Sequence, residues 1–501
     1  MADENLKSRL ENLKKSGFFD DLIIRKGIEK EFFRTDNKGF ISEKSHPQSL
    51  GSALTNRLIT TDFAEAQVEL VTPVFENTES LYDFLLSLHI FVAKNIHKDE
   101  LLWPFSMPPK IQDESKINIG YYHKSNIGLL KHVYRRGLKV RYGATMQCVS
   151  GMHYNFSLHP RSLNNIVGSN DQKEIDETYL SLIRNFKRNF WYVLLEFGQT
   201  NVVDKSFVNN RDNNLSILNN SDLYLANATS LRMSEIGYQS SAQKNLQIKY
   251  NSLDGFLKKI KNAITLPFED FNKIGLLDEH NEYHQISDGI IQIENEYYDS
   301  IRPKRSALKG MRPYDLLKRY GIEYLEVRGI DLFPGDITGI SKHHINFIDL
   351  IMIHSLVSPS PKISEEEKKC IDSNDNKVIY NGMDINEEII INNKKIKIQE
   401  QRAIMLNELK LVATYFKNKN EMHDAINFIM NDITREMSEQ TFHDNGVCQA
   451  KENIKHLQSS DSIDLDRIRE EAELSLNKLE KMKKNSKDEM NEYVKNYNSK
   501  L

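Results

Sequence analysis

Cysteine is scarce in this chain of 501 residues: Cys148, Cys370 and Cys448 lie far apart, with no CxxC and no Cys/His pairing at metal-ligand spacing. That excludes a disulfide framework and a structural zinc site and leaves reduced thiols. An imbalance of charge is missing too, with 67 Lys and Arg against 71 Asp and Glu and a formal net charge of −4. No overall field draws nucleic acid or an acidic membrane, and no basic patch is interleaved with aromatics. Long apolar runs are absent, since Phe190 to Phe197 and Ile348 to Val357 fall well short of the ~20 residues a bilayer span needs. The opening MADENLKSRLENLKK puts charges where a secretory signal needs its apolar stretch, so a cytoplasmic protein with no membrane partner is expected. There is no GxxxxGKS or GxxxxGKT loop, no kinase motif set and no GxGxxG fingerprint.

What is present is enough apolar material, 39% of the residues, for a large buried core. Residues 1–26 carry Leu6, Leu10 and Leu13 at helical spacing and read as a helical lead-in ended by Gly17. Residues 27–360 mix short alternating stretches with helical ones such as Leu81 to Ile96 and Tyr179 to Leu195, an α+β pattern expected to form the main core. Residues 361–450 read as a variable helical and loop extension, with the Asn- and Lys-rich stretch from 365 to 400 holding at most a hairpin. Residues 451–501 contain neither Gly nor Pro, and Leu465, Ile468, Ala472, Leu476 and Leu479 predict one charged amphipathic helix.

Successive side chains of a strand point to opposite faces, so residues two apart share one. In GIEKEFFR, Glu29 and Glu31 oppose Ile28 and Phe32. In TTDFAEAQVELVTP, Glu65, Gln67 and Glu69 oppose Ala66, Val68 and Leu70, with Asp62 just before. In GMHYNFSL, His153, Asn155 and Ser157 oppose Tyr154, Phe156 and Leu158, and in GIEYLEVRGID, Tyr324, Glu326 and Arg328 oppose Leu325 and Val327. A single such strand is read as solvated on one side. Four that are rich in carboxylate and imidazole predict one shared polar face.

Gathering Glu29, Glu31, Glu69 and Glu326 costs repulsion unless cations sit among them, and oxygen-rich sites suit Mg²⁺ or Mn²⁺. Such ions commonly meet phosphate. With no phosphate loop, a nucleotide would be held through metals and basic side chains, for which QIENEYYDSIRPKR offers Arg302, Lys304 and Arg305.

These strings, together with HPQSLGSALTN, WPFSMP, YRRGLKVRYGATMQCVSGMHYNFSL and ATSLRMSEIGY, run in order from about residue 25 to 335, and over that span the chain resembles the glutamate-cysteine ligase family of the proteobacterial type. The resemblance implies a glutamine-synthetase-like fold, an antiparallel β-sheet funnel with surrounding helices. It implies ATP-dependent joining of the L-glutamate γ-carboxylate to the L-cysteine amine through γ-glutamyl phosphate, by a monomer. A ligase of the same fold that takes a different amine is the alternative. Position by position, it implies two or more Mg²⁺ or Mn²⁺ ions on Glu29, Glu31, Asp62, Glu69, His153 and Glu326. Gln147 and Asn155 would hold glutamate. Tyr134, Leu138, Val149, Arg232, Tyr238 and Tyr298 would form the cysteine pocket, with Tyr298 favoured over its neighbour Tyr297. Arg135 and Arg328 would stabilise the transferring phosphoryl group.

Overall fold

The computed structural model describes residues 4–209, 211–237, 239–240, 242–431 and 441–501. At its centre lies a seven-stranded antiparallel sheet. Its strands are β1 (Ile24–Asp36), β2 (Ile59–Thr61), β3 (Gln67–Val71), β4 (Glu100–Leu102), β5 (Met152–Leu158), β6 (Ile301–Lys304) and β7 (Tyr324–Ile330). They run in the order β2-β3-β1-β5-β7-β6, and β4 pairs with the far end of β1. The sheet is open, not a closed barrel.

One face is apolar because the alternation makes it so. Ile28, Phe32, Val68, Leu70, Tyr154, Phe156, Leu325 and Val327 are all buried, and they rest on helices. Behind them stand α1 (Thr78–Asn95) and α2 (Lys342–Val357). The Asn77 side chain caps α1 by accepting from Ser80 N. Helix α2 is buried on every side from His344 to Val357, as a helix apolar all round must be. It starts at a capping box in which Ser341 and His344 satisfy each other's backbone N–H groups. Two lysines of β1 lie on this buried side as well: Lys26 forms an ion pair with Asp349, and Lys30 Nζ sits 2.8 Å from His89 Nε2.

Some sequence expectations need revision. TTDFAEAQVELVTP is a hairpin, not one long strand: β2 turns at 62–66 and returns as β3, so Glu65 faces the other way and accepts from His46 N and Tyr121 N. The stretch from Tyr179 to Leu195 is two helices, Gln172–Arg188 and Phe190–Phe197, broken at Asn189. The Asn-rich excursion holds a helix of 17 residues, Glu365–Asn381, besides its hairpin at Glu388–Ile391 and Lys394–Lys397. Ser364 caps that helix, three Glu follow in its first turn, and Ile371, Val378 and Ile379 bury at helical spacing. The hairpin turns on Asn392 and Asn393, both at positive φ. The C-terminal segment is three helices, Phe442–Ser459, Leu465–Glu480 and Lys487–Asn498. Polar caps such as Ser486 end and restart them without Gly or Pro. Gly446 lies inside the first because a Cβ there would stand 2.1 Å from the Trp103 ring. Among the described residues no helix is long and apolar enough to cross a membrane.

Candidate active site

Register brings the polar residues together on the other face of the sheet. Glu31 pairs with Glu69, Glu29 with His153, Asn155 with Glu326, and Glu326 with Arg302. Directly paired residues of antiparallel strands project to the same side. An irregularity between Val327 and Ile330 shifts the register of β7 just where Arg328 sits, and such shifts commonly re-aim a side chain. Over this face opens a cavity of about 540 Å³.

The floor of the cavity is a cluster of donors. Glu29, His153 and Glu326 each offer one ligand atom, all within 4.8 Å of one another. His153 lies between carboxylates, its Nδ1 3.3 Å from Glu29 and its Nε2 3.6 Å from Glu31. Burial and the nearby Arg328 charge push the imidazole pKa down, so the ring is neutral at pH 7. A neutral ring that donates through Nδ1 to Glu29 turns a lone pair toward Glu31. Two acceptors face each other there, and a proton or a metal ion between them resolves the conflict.

The carboxylates respond in opposite directions. Burial raises Glu31 well above its ordinary range, with the charges of Asp62 and Glu69 adding to the effect. Burial pushes Glu69 up to about 8, reinforced by Glu29 and Asp62. For Glu29 burial also raises the pKa, but the His153 hydrogen bond and the Lys304 charge outweigh it and the net shift is downward. Glu326 is buried too, yet Arg302, Lys304 and Arg328 hold it well below the usual range. Arg302 grips it through Nε at 2.9 Å and Nη2 at 2.6 Å, Lys304 Nζ lies at 2.9 Å and Arg328 Nη1 at 3.1 Å. The site is therefore graded, with strained acids toward Glu31 and Glu69 and a neutralised one at Glu326. Strained acids around a neutral imidazole are a donor set that fits divalent cations.

Most residues singled out from sequence lie here, and some do not. Glu29, Asp62, Glu69, His153, Glu326 and Arg328 line the cavity, as do Tyr134, Arg135, Leu138, Gln147, Val149 and Tyr298, while Glu31 and Asn155 are not among the lining residues but touch two that are, His153 and Glu29. Asn155 Nδ2 donates to Glu29 at 2.9 Å, and its Oδ1 is buried without a hydrogen-bond partner among the described residues. Of the tyrosine doublet, Tyr298 faces the cavity and its hydroxyl lies 3.3 Å from Gln147 Oε1, whereas Tyr297 is buried against Asp299. Arg135 spends its donors on the carbonyls of Thr61, Asp62 and Lys131, so it holds the turn that presents Asp62. Arg232 is not among the residues lining the cavity. It is buried in an ion pair with Asp331 and also donates to the carbonyls of Arg328 and Ile330. Arg302 and Lys304 are engaged with Glu326, and Arg305 lies away from the cavity, donating to the carbonyls of Tyr320 and Gly321. Tyr238 lies outside the described residues.

Among the lining residues that escaped the sequence reading are Lys131, Tyr493 and Tyr497. For Lys131 the signal existed. On the helix Asn126–Tyr142, positions 131, 134, 135 and 138 recur at the spacing of one helical face. Burial lowers its pKa to about 8, helped by Arg135.

The chain is similar to known proteins over most of its length. The family model for glutamate-cysteine ligase matches residues 10–378, ending well before the three C-terminal helices. Curated glutamate–cysteine ligases of Hahella chejuensis and Wigglesworthia glossinidia brevipalpis are 41% and 39% identical to the chain, each over 419 residues. The first alignment covers 82% of the chain and 80% of the relative, the second 82% of each. A crystal structure of glutamate–cysteine ligase from Francisella tularensis in complex with AMP superposes with a TM-score of 0.88 at 30% identity, over 96% of this chain and 99% of that one. A bifunctional glutathione synthetase from Pasteurella multocida shares the fold, with a TM-score of 0.65 at 22% identity over 94% of this chain and 55% of its own.

Proposed function

The chain belongs to the glutamate-cysteine ligase family, and we propose that the acidic face of its sheet is where glutamate is activated by ATP. The reaction joins the γ-carboxylate of L-glutamate to the amine of L-cysteine and converts ATP to ADP and phosphate. A free carboxylate is a poor acyl donor at neutral pH, because an amine cannot expel oxide from it. Transfer of the ATP γ-phosphoryl group to a carboxylate oxygen gives γ-glutamyl phosphate. The amine of cysteine, as the free base, then attacks the carbonyl carbon. The C–N bond forms, the C–O bond to phosphate breaks, and the surplus proton passes to solvent. No covalent intermediate with the protein is needed, so positioning and electrostatics carry the catalysis.

In this reading Glu29, Glu31, Asp62, Glu69, His153 and Glu326 would hold two or more Mg²⁺ or Mn²⁺ ions, which offset the charge of the phosphate oxygens. Arg328, at the irregular edge of β7, reaches the transferring phosphoryl group, and its planar fork of donors suits phosphate geometry. Arg302 and Lys304 act one step removed, by neutralising Glu326. Arg135 fixes the Asp62 turn and adds positive potential beside Glu69. Gln147 and Asn155 orient glutamate, and Tyr134, Leu138, Val149 and Tyr298 bound the space for cysteine. Arg232, paired with Asp331, steadies the end of β7 through the carbonyls of Arg328 and Ile330. The enzyme acts as a monomer in the cytoplasm on these small molecules, with no nucleic-acid or membrane partner.

The observation that carries the reading is the convergence of Glu29, His153 and Glu326 within 4.8 Å beside Arg328. Phosphate release from ATP by the purified protein tests it, with glutamate present and amines added in turn. Stimulation by cysteine and not by glycine is expected. Release that ignores glutamate, or that glycine supports equally, refutes it.

A further inference from the structure

The cavity has two chemically unlike ends. Toward the sheet it is lined by carboxylates, His153 and Arg328, and toward the C-terminal helix by Leu130, Ile286, Ile293, Tyr493 and Tyr497, which pack in one cluster. A nucleoside triphosphate has the same polarity, a dense anionic tail and a flat, weakly polar base. We propose that Tyr493 and Tyr497, on the helix Lys487–Asn498, are the platform for the base of the nucleotide, so that nucleotide binding depends on the seating of the C-terminal helix. This rests on the reading of the acidic end as the place where ATP reacts.

The helix is built into the site. Arg312 makes a double contact with the Glu294 carboxylate, at 3.0 and 2.9 Å, and donates through Nη1 to the Tyr497 carbonyl at 2.8 Å. The same guanidinium lies 4.0 Å above the Tyr497 ring, covering one side of it. Asn498 Nδ2 donates to the Ile286 carbonyl at 2.8 Å, and the backbone ahead of the helix is tied by Asn485 N to the Lys124 carbonyl, also at 2.8 Å. Val494 is fully buried and Met490 nearly so, both packed in one cluster with Leu130, Val133 and Ile286. Tyr493 and Tyr497 are one helical turn apart, with ring centroids 6.5 Å apart and planes inclined by 29°. They present a nearly continuous aromatic strip to the cavity and stay half-buried, so their rings are held yet reachable. Stacking on such a strip is tolerant of base identity, since every base has a π face. The helix therefore contributes affinity for nucleosides, while the triphosphate is held at the opposite end.

Binding of ADP and of inorganic pyrophosphate, each with Mg²⁺, is measured by calorimetry on the full chain and on Tyr493→Ser, Tyr493→Phe and Tyr497→Phe. Loss of a stacking ring predicts a Kd for ADP raised about tenfold or more in Tyr493→Ser. Both Phe variants, which keep the ring, bind ADP as the parent does, and pyrophosphate binds all four proteins alike. Unchanged ADP affinity in Tyr493→Ser overturns the inference. Equal weakening of ADP and pyrophosphate overturns it too, since that marks general damage to the cavity. If the parent chain binds pyrophosphate but no ADP, the reading of the site as an ATP site fails, and this inference with it.

Discussion

Glu69→Gln is expected to stabilise the metal-free protein while lowering its activity. The Glu69 carboxyl is pushed up to about 8 by burial and by its acidic neighbours Glu29 and Asp62, against an ordinary value of 4.5. A carboxyl with a raised folded-state pKa favours the fold while protonated. Its contribution is complete below about pH 4.5 and is lost as pH rises toward 8. By pH 7 about 3 kcal/mol of that contribution is lost relative to its low-pH value. Glu69 is open to the cavity, and water there screens part of this, so about 2 kcal/mol remains as a working figure. Glutamine keeps the shape, carries no charge and escapes the loss. Thermal unfolding in EDTA between pH 5 and 8 provides the assay. The parent melting temperature falls more steeply with pH, and at pH 7.5 the variant melts higher, by about 2 °C for a chain of this size. With saturating Mg²⁺ or Mn²⁺ the order reverses, because the variant has lost an oxygen donor, and its turnover falls by orders of magnitude. A variant less stable than the parent in EDTA at pH 7.5, by the same margin as at pH 5, refutes the argument that these acids repel one another.

Arg328→Lys keeps the charge and loses the planar fork, so turnover measured by phosphate release should fall by about a hundredfold or more with the melting temperature little changed. Arg232→Ala leaves Asp331 buried without its main cation and should destabilise the fold by about 3 kcal/mol or more in denaturant titrations, whereas pairing it with Asp331→Asn recovers part of the loss. His344, pushed down to about 3 by burial, is neutral in the fold; its stabilising contribution is complete above pH 6.5 and is lost as pH falls toward 3. At pH 5 that loss amounts to about 2 kcal/mol, and His344→Gln, which keeps the capping box and cannot titrate, should show a flatter melting profile between pH 7 and 5.

The polar face was legible in the sequence because strand alternation is a local rule: Glu29, Glu31, Glu69, His153, Asn155 and Glu326 follow from a period of two. Glu65 fell outside it because the alternation in FAEA runs unbroken through a turn, and only the hydrogen bonds of the hairpin separate the two. The environments of Lys26 and Arg232 were out of reach, since their partners Asp349 and Asp331 lie 323 and 99 residues away in sequence. The helix Glu365–Asn381 was masked by its Asn and Lys content although its cap and its apolar spacing were present. Tyr493 and Tyr497 were visible as an i, i+4 pair, but nothing local says that the last helix folds back to line a cavity whose floor is built from residues 29 to 328.

The most direct test of γ-glutamyl phosphate formation on this face follows an oxygen atom. Glutamate labelled with ¹⁸O in its γ-carboxylate is turned over with ATP and cysteine, and the released phosphate is examined by mass spectrometry or ³¹P NMR. If the carboxylate attacks the γ-phosphoryl group, one labelled oxygen appears in each phosphate released. Phosphate that carries no label, formed at the same rate as the peptide product, would show that the acid is not activated by phosphorylation and would contradict the mechanism.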